Sequence, residues 1–237
     1  KQRTIRVRNI FYHNLEDISF DLHEGEILGI AGLSGSGMHE LGKLMFGMYK
    51  PLQGEILIYG KPLKDVKTAM ENRIGYVAKE RDKETLILDA SIKDNLIISA
   101  LDKLKKYFFI NPRTEKEFAK EQIDNLNIKC QSMNQLVGEL SGGNKQKVSF
   151  AKWLGNDSKI LILDSPTRGI DVGVKAKMYS LIYKLKKEGY SIVFISEELP
   201  ELIGMSDRIL VLKDGRLNKE FKRSSSLMET DIIKYMI

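Results

Sequence analysis

Apolar residues along the chain follow two rhythms. "TIRVRNI" (4–10) alternates and is rich in β-branched residues, which predicts an edge strand. "EILGIA" (26–31) is a short unbroken apolar run that ends in glycines, the pattern of a strand buried on both faces. "GEILIYG" (54–60) and "RIGYVA" (73–78) predict two more strands, and "KILILD" (159–164), "YSIVFIS" (190–196) and "RILVL" (208–212) resume the series further on. Between them the rhythm is helical. "MHELGKLMFG" sets Met38, Leu41, Leu44 and Met45 on one face. The stretch 91–138 is mostly polar and helix-forming, with a helix start at Pro112, and predicts a separate helical subdomain. "KDGRL" (213–217) is a hairpin turn by its Asp-Gly pair, and "KRSSSLMETD" (222–231) predicts a linker into a short, weakly held terminal helix. Strands that alternate with helices argue for an α/β fold with a mainly parallel central sheet.

Composition changes this picture little. At 237 residues the chain fits one large domain with a subdomain, and 42% hydrophobic with 30% charged residues is ordinary for a globular protein. No apolar run reaches membrane-spanning length, and no signal peptide is expected. The chain opens on Lys1 rather than Met, so a piece of a longer protein is expected. Cys130 is the one cysteine; it excludes an internal disulfide and favours a reducing setting with an inert thiol. The net charge of +6 is spread along the chain, with a local concentration at Lys103, Lys105 and Lys106. No nucleic-acid module accompanies it, so a solvated surface is expected rather than a nucleic-acid partner.

Three motifs carry chemistry. "GIAGLSGSGMHELG" (29–42) places Gly32, Gly35 and Gly37 between a buried strand and a helix, where glycines bring backbone amides close to phosphate and the helix N-terminus adds partial positive charge. The third glycine of a Rossmann loop is absent, because the spacing runs G-x-G-x-x-E. "KILILDSPTRGID" delivers Asp164 to the end of a buried strand, the requirement of a magnesium-holding carboxylate. In "LVGELSGGNKQKVSFAKWL" a Ser-Gly-Gly precedes a helix marked by Val148, Ala151 and Leu154, and offers a hydroxyl and free amides to an anion.

In this order the motifs resemble a nucleotide-binding domain of an ABC transporter over the whole chain. "GEILGIAGLSGSG", "LSGGNKQKV", "SPTRGIDVGVKAKMY" and "ISEELPELIGMSDRILVL" resemble one subgroup more closely, the second domain of the fused tandem ATPases of monosaccharide importers of the ribose, galactose and xylose type. The resemblance implies a P-loop NTPase fold with a RecA-like core, an antiparallel β part on the N-terminal side and a helical subdomain. It divides the chain into core (1–90 and 139–222), helical subdomain (91–138) and C-terminal tail (223–237). It implies ATP and Mg²⁺ as ligands, with phosphate held by Gly32, Leu33, Ser34, Gly35, Ser36, Gly37, Met38 and His39, the metal at Asp164, and adenine stacked on Phe11 or Tyr12, although a core aromatic suits either ring equally. The signature residues Leu140, Ser141, Gly142, Gly143 and Asn144 would complete the ATP site of a second such domain, fused upstream or homologous. Transmembrane permease subunits would meet Arg81 and the segment to Asn95, a periplasmic or lipid-anchored sugar-binding protein would act indirectly, and the location would be the cytoplasmic face of the membrane.

The sequence departs from the family at the charged positions. Met38 stands where the phosphate-binding lysine belongs and His39 where a magnesium-binding Ser or Thr belongs; imidazole suits softer metals. Ser165 replaces the acid that orients water, and a serine is a poor base without an activating partner. Glu197 replaces the switch histidine and would repel phosphate, whereas Lys79, at the Q-loop position, still offers a positive charge. Loss of these elements together predicts severely reduced hydrolysis at this site, with weak binding through the loop amides. Two other readings stay open: an ABC ATPase acting on DNA or the ribosome, whose usual coiled-coil inserts or basic linkers are not visible, and an assembly module that binds no nucleotide. Trp153 is expected in the core, and His13 and His23 as isolated surface residues.

Overall fold

The computed structural model describes residues 2–105 and 109–237. They divide into two compact units: 1–76, 159–165 and 177–237 form the first, and 77–158 with 166–176 the second.

The first unit holds two sheets. Strands β1 (Arg3–Tyr12), β2 (Leu15–His23), β4 (Gln53–Ile58) and β5 (Lys61–Pro62) pair antiparallel in the order β2-β1-β4-β5. The strand expected at an edge is therefore interior: Ile5 and Val7 face Leu22 and Phe20 on one side and Ile58 and Ile56 on the other. Local alternation reports one buried face and cannot report how many neighbours a strand has.

The larger sheet runs β10-β9-β3-β8-β7-β6, from β3 (Ile27–Gly32), β6 (Ile74–Val77), β7 (Ile160–Asp164), β8 (Ser191–Ser196), β9 (Arg208–Lys213) and β10 (Arg216–Lys222). β9, β3, β8 and β7 are parallel. Every residue of β3, β7 and β8 is buried, which explains their unbroken apolar runs. Helix α1 (Met38–Met45) packs on these three strands through the face predicted for it. Asp65 caps α2 (Val66–Glu71), and the Thr68 amide on its carboxyl holds that group below the usual range. The Asp214-Gly215 turn joins β9 to β10 as the sequence predicts, both residues having positive φ.

The second unit contains α3 (Arg81–Glu84), α4 (Ile92–Ile97), α5 (Leu101–Leu104), α6 (Pro112–Asn125) and α7 (Gly142–Gly155). Asn111 caps α6 by accepting the Arg113 amide at 2.9 Å, with Pro112 in the first turn. Its core joins Leu86, Ile92, Leu96, Phe118, Ala119, Val137, Val148 and Ala151. Trp153 is buried as expected. Cys130 packs against this cluster and burial pushes its thiol up, which disfavours the reactive thiolate. The lysine concentration is paired rather than free to meet a surface: Lys103 reaches Asp157 at 2.8 Å and Lys105 pairs with Asp102, while Lys106 lies outside the described residues. Helix α8 (Val172–Lys187) runs from this unit into the first, where α9 (Leu199–Met205) and α10 (Glu229–Ile233) follow.

Two smaller expectations change. The terminal helix is short but pinned, with Ile232 and Met236 buried. His23 is not isolated: its Nδ1 lies 3.0 Å from Glu26, whose carboxylate also takes the Arg208 guanidinium. His13 is exposed as expected.

The hairpin turn is locked against the start of β2. The Glu16 amide donates to the Gly215 carbonyl at 2.8 Å, and a Cβ on Gly215, whose φ is 75°, would stand 1.5 Å from the Asn14 carbonyl oxygen. Gly215→Ala is therefore expected to lower unfolding free energy by at least about 2 kcal/mol, since it adds a backbone clash to left-handed strain; urea unfolding of the two proteins measures the difference.

Candidate functional site

Parallel register brings three strand ends together. Ala31 pairs with Ser196, and Asp164 with Ile195, so the carboxyl ends of β3, β8 and β7 share one edge of the sheet. Open α/β sheets bind their ligands there.

The glycine loop crosses this edge. Leu33, Ser34 and Gly35 are exposed at its crest, whereas Ser36, Gly37 and Met38 are buried. The Ser36 amide closes the turn on the Leu33 carbonyl at 3.0 Å, and Asn14 Nδ2 braces it by donating to the Gly35 carbonyl at 2.9 Å. Gly37 precedes α1 with φ 93° and no side-chain cap, and a Cβ there would meet Leu15 Cδ2 at 2.4 Å. Only glycine meets both demands. The helix thus begins with amides that no cap side chain covers, and the buried Ser36 hydroxyl has no hydrogen-bond partner among the described residues. Such a loop suits an anion.

The side chains beside the loop have their own partners. Met38 is 1% exposed, so its thioether belongs to the core and not to the loop mouth. His39 lies between two carboxylates, with Nδ1 2.7 Å from Asp164 Oδ1 and Nε2 3.3 Å from Glu197 Oε1. Asp164 is itself buried; its Oδ2 accepts from the Tyr76 hydroxyl at 3.1 Å, and Ser165 Oγ sits 3.4 Å from Oδ1. Ser165 has φ 47°, a left-handed backbone that turns the chain sharply away after the strand. His39, Asp164, Ser165 and Glu197 therefore lie together at this edge of the sheet. Tyr76 and Asn14 escaped the reading of the sequence, although a tyrosine in a buried strand is a cue, since its hydroxyl needs a partner.

Phe11 and Tyr12 are both half-buried. Tyr12 stacks on Tyr49, with centroids 5.4 Å apart and planes 14° from parallel, and meets His13 edge-on.

The second unit carries the remaining positions. Ser141 is exposed and caps α7; its hydroxyl accepts from the Asn144 amide and from Asn144 Nδ2, at 3.4 and 3.1 Å. Asn144 Oδ1 in turn accepts the Lys129 amide at 3.0 Å. Leu140 is buried in the unit's core, and Gly142 and Gly143 form the first turn of the helix. Lys79 lines a shallow depression with Glu80, Arg81, Asp82, Arg168 and Gly169; there Arg81 donates to the Arg168 carbonyl at 2.9 Å and Arg168 pairs with Glu80. Asn95 is fully buried and staples the loop before α4, exchanging bonds with the Ile87 amide and carbonyl at 2.8 and 2.9 Å while Ile87 itself stays exposed.

A central parallel sheet with a glycine loop between β3 and α1, and a buried carboxylate at the end of a nearby strand, defines the P-loop NTPase fold. A family model described as ABC transporter matches residues 15–168, and the chain belongs to that family as an ATP-binding domain. It is 44% identical over 215 residues to the ribose import ATP-binding protein of Oceanobacillus iheyensis, covering 90% of this chain and 43% of that protein. It is 43% identical over 240 residues to the protein of the same name from Clostridium tetani, covering 98% and 47%. The chain thus spans under half the length of these curated relatives. Among solved structures it is similar to a dimeric, post-hydrolysis ATP-binding cassette bound to ADP and Pi, with a TM-score of 0.81 at 24% identity over 93% of this chain and 99% of that one. A nucleotide-free cassette gives 0.82 at 20% identity over 98% and 96%.

The bond from Tyr76 to Asp164 is buried at both ends, so its removal leaves a carboxylate oxygen short of a donor. Tyr76→Phe is expected to destabilise the protein by about 1–3 kcal/mol, read as a shift in urea midpoint at unchanged slope.

Proposed function

We propose that the chain is the energy-coupling ATP-binding domain of a bacterial monosaccharide importer, one that binds ATP weakly at its own glycine loop and hardly hydrolyses it. The curated relatives, named for ribose import, support the class of cargo. One contrast carries the rest of the reading. Met38, where the resemblance expects a lysine, is packed inside the core, whereas Ser141, at the head of the signature helix, is exposed.

The loop fits a polyphosphate. Exposed backbone at Leu33, Ser34 and Gly35, the uncapped start of α1 and the unpartnered Ser36 hydroxyl supply donors without a charged side chain. ATP binding would close the domain pair, and hydrolysis at the partner's competent site would reopen it. What the loop does not supply is charge to draw electrons off a leaving phosphate, and phosphoryl transfer depends on that neutralisation. The carboxylate beside Ser165, that of Asp164, is already engaged by His39 and Tyr76.

The signature works for another site. Ser141, Gly142, Gly143 and Asn144 offer a hydroxyl and the first amides of a 14-residue helix to the ATP of a second ABC domain. That domain, fused upstream or homologous, would carry the lysine and the acid that this one lacks. The helical unit, with Ile87 exposed beside the stapled loop, would pass the motion to transmembrane permease subunits at the cytoplasmic face of the membrane, and the sugar would come from a periplasmic or lipid-anchored binding protein. Among the described residues no helix is long and apolar enough to cross a membrane.

In the complex of both domains, Ser141→Arg is expected to cut ATP turnover by about 10²-fold or more, the scale of losing a transition-state donor. Met38→Leu, which keeps the buried volume, is expected to leave turnover within about twofold. Steady-state phosphate release measures both, and the opposite ranking sinks the asymmetry. Robust hydrolysis by the isolated chain does the same.

A further inference from the structure

We propose that the nucleotide site of this chain works without a divalent cation, because His39, bridging Asp164 and Glu197, closes the carboxylate on which the family's metal depends. The inference rests on the reading that the glycine loop binds ATP.

Magnesium demands near-octahedral oxygen ligation and keeps several waters, so the carboxylate it uses must present a free oxygen to solvent. Asp164 does not. It is 1% exposed, Oδ1 faces His39 Nδ1 at 2.7 Å with Ser165 Oγ at 3.4 Å, and Oδ2 takes the Tyr76 hydroxyl at 3.1 Å. To reach an ion it would have to give up bonds made inside the protein, where an unmade bond costs most. His39 offers the ion nothing in return, since imidazole nitrogen is a poor ligand for magnesium.

Nor do the three side chains form a site for a different metal. The two ring nitrogens point away from each other, and each faces its own carboxylate, Nδ1 to Asp164 and Nε2 to Glu197. The ring therefore stands between the carboxylates, and no position is shared by all three. Among the described residues no group of three or more His, Cys, Asp or Glu side chains is placed to hold a metal ion. Meanwhile the anion-binding donors of the loop are backbone amides and a serine hydroxyl, none of which requires a metal. An ordinary P-loop divides phosphate charge between a lysine and an ion; here residue 38 is a buried methionine and the carboxylate is engaged by His39.

The test uses the full chain and a fluorescent ATP analogue, titrated in excess magnesium and again in EDTA. Dissociation constants equal within about twofold are expected, together with no protein-bound signal when Mn²⁺ replaces magnesium in electron paramagnetic resonance of the complex. Binding at least about tenfold tighter with magnesium, or a bound Mn²⁺ spectrum, overturns the inference and leaves the nucleotide reading standing. No binding under either condition overturns the nucleotide reading and the inference with it. His39→Ser, which frees Asp164 and restores a hydroxyl, is expected to make binding magnesium-dependent. A variant that binds equally well in EDTA overturns the role given to His39.

Discussion

The structure depends on three parallel strands with no exposed residue. β3, β7 and β8 lie side by side in the larger sheet, buried from end to end. A strand in that position satisfies its backbone only by pairing on both sides, and any slip of register would break a full ladder of bonds in a place water does not reach. The register is therefore fixed, and it fixes function. Gly32, Asp164 and Ser196 end their strands at one edge, and everything chemical in the first unit is built on those three ends.

At that edge a buried carboxylate finds its partners within the chain. Without an ion or a lysine, Asp164 would be a buried carboxylate with too few donors, a situation worth several kcal/mol of instability. His39 meets Oδ1, Tyr76 meets Oδ2, and Glu197 takes the far side of the imidazole ring. Both oxygens of Asp164 are thereby paired inside the chain.

Much of this was legible in the sequence, and the limits have physical causes. Strands buried on both faces announce themselves as apolar runs, so "EILGIA", "KILILD" and "YSIVFIS" are placed correctly, as are α1 by its Met38-Leu41-Leu44-Met45 face and the Asp214-Gly215 turn by its dihedral demands. The interior place of β1 was not legible, because its second partner, β4, lies some forty residues away and pairing at that distance leaves no local trace. His23 is a different case: its partner Glu26 is only three positions away and could have been read locally, whereas Arg208, which also pairs with Glu26, comes from the far end of the chain. At the site, the sequence singled out His39, Asp164 and Glu197 one by one and could not show that they touch. Asp164 and His39 are 125 positions apart, and Glu197 is 158 from His39.

The glycine loop itself has two explanations, and the structure weighs them. Gly37 is required by Leu15 and by its own dihedral angle, Asn14 holds the loop through the Gly35 carbonyl, and α1 buries Met38, Leu41, Leu44 and Met45 against the sheet. These are demands of folding, and they hold the loop in place without reference to any ligand. The Ser-Gly-Gly turn is held by packing only in part. Ser141 is exposed, and its cap to Asn144 is a contribution of about 1 kcal/mol that Asp or Asn would supply as well. Packing thus constrains both turns: a Cβ on Gly143 would stand 2.8 Å from Val174 Cγ1 and one on Gly142 3.3 Å from the Gly169 carbonyl oxygen, so in the Ser-Gly-Gly turn it is the exposed Ser141 hydroxyl that packing leaves unexplained.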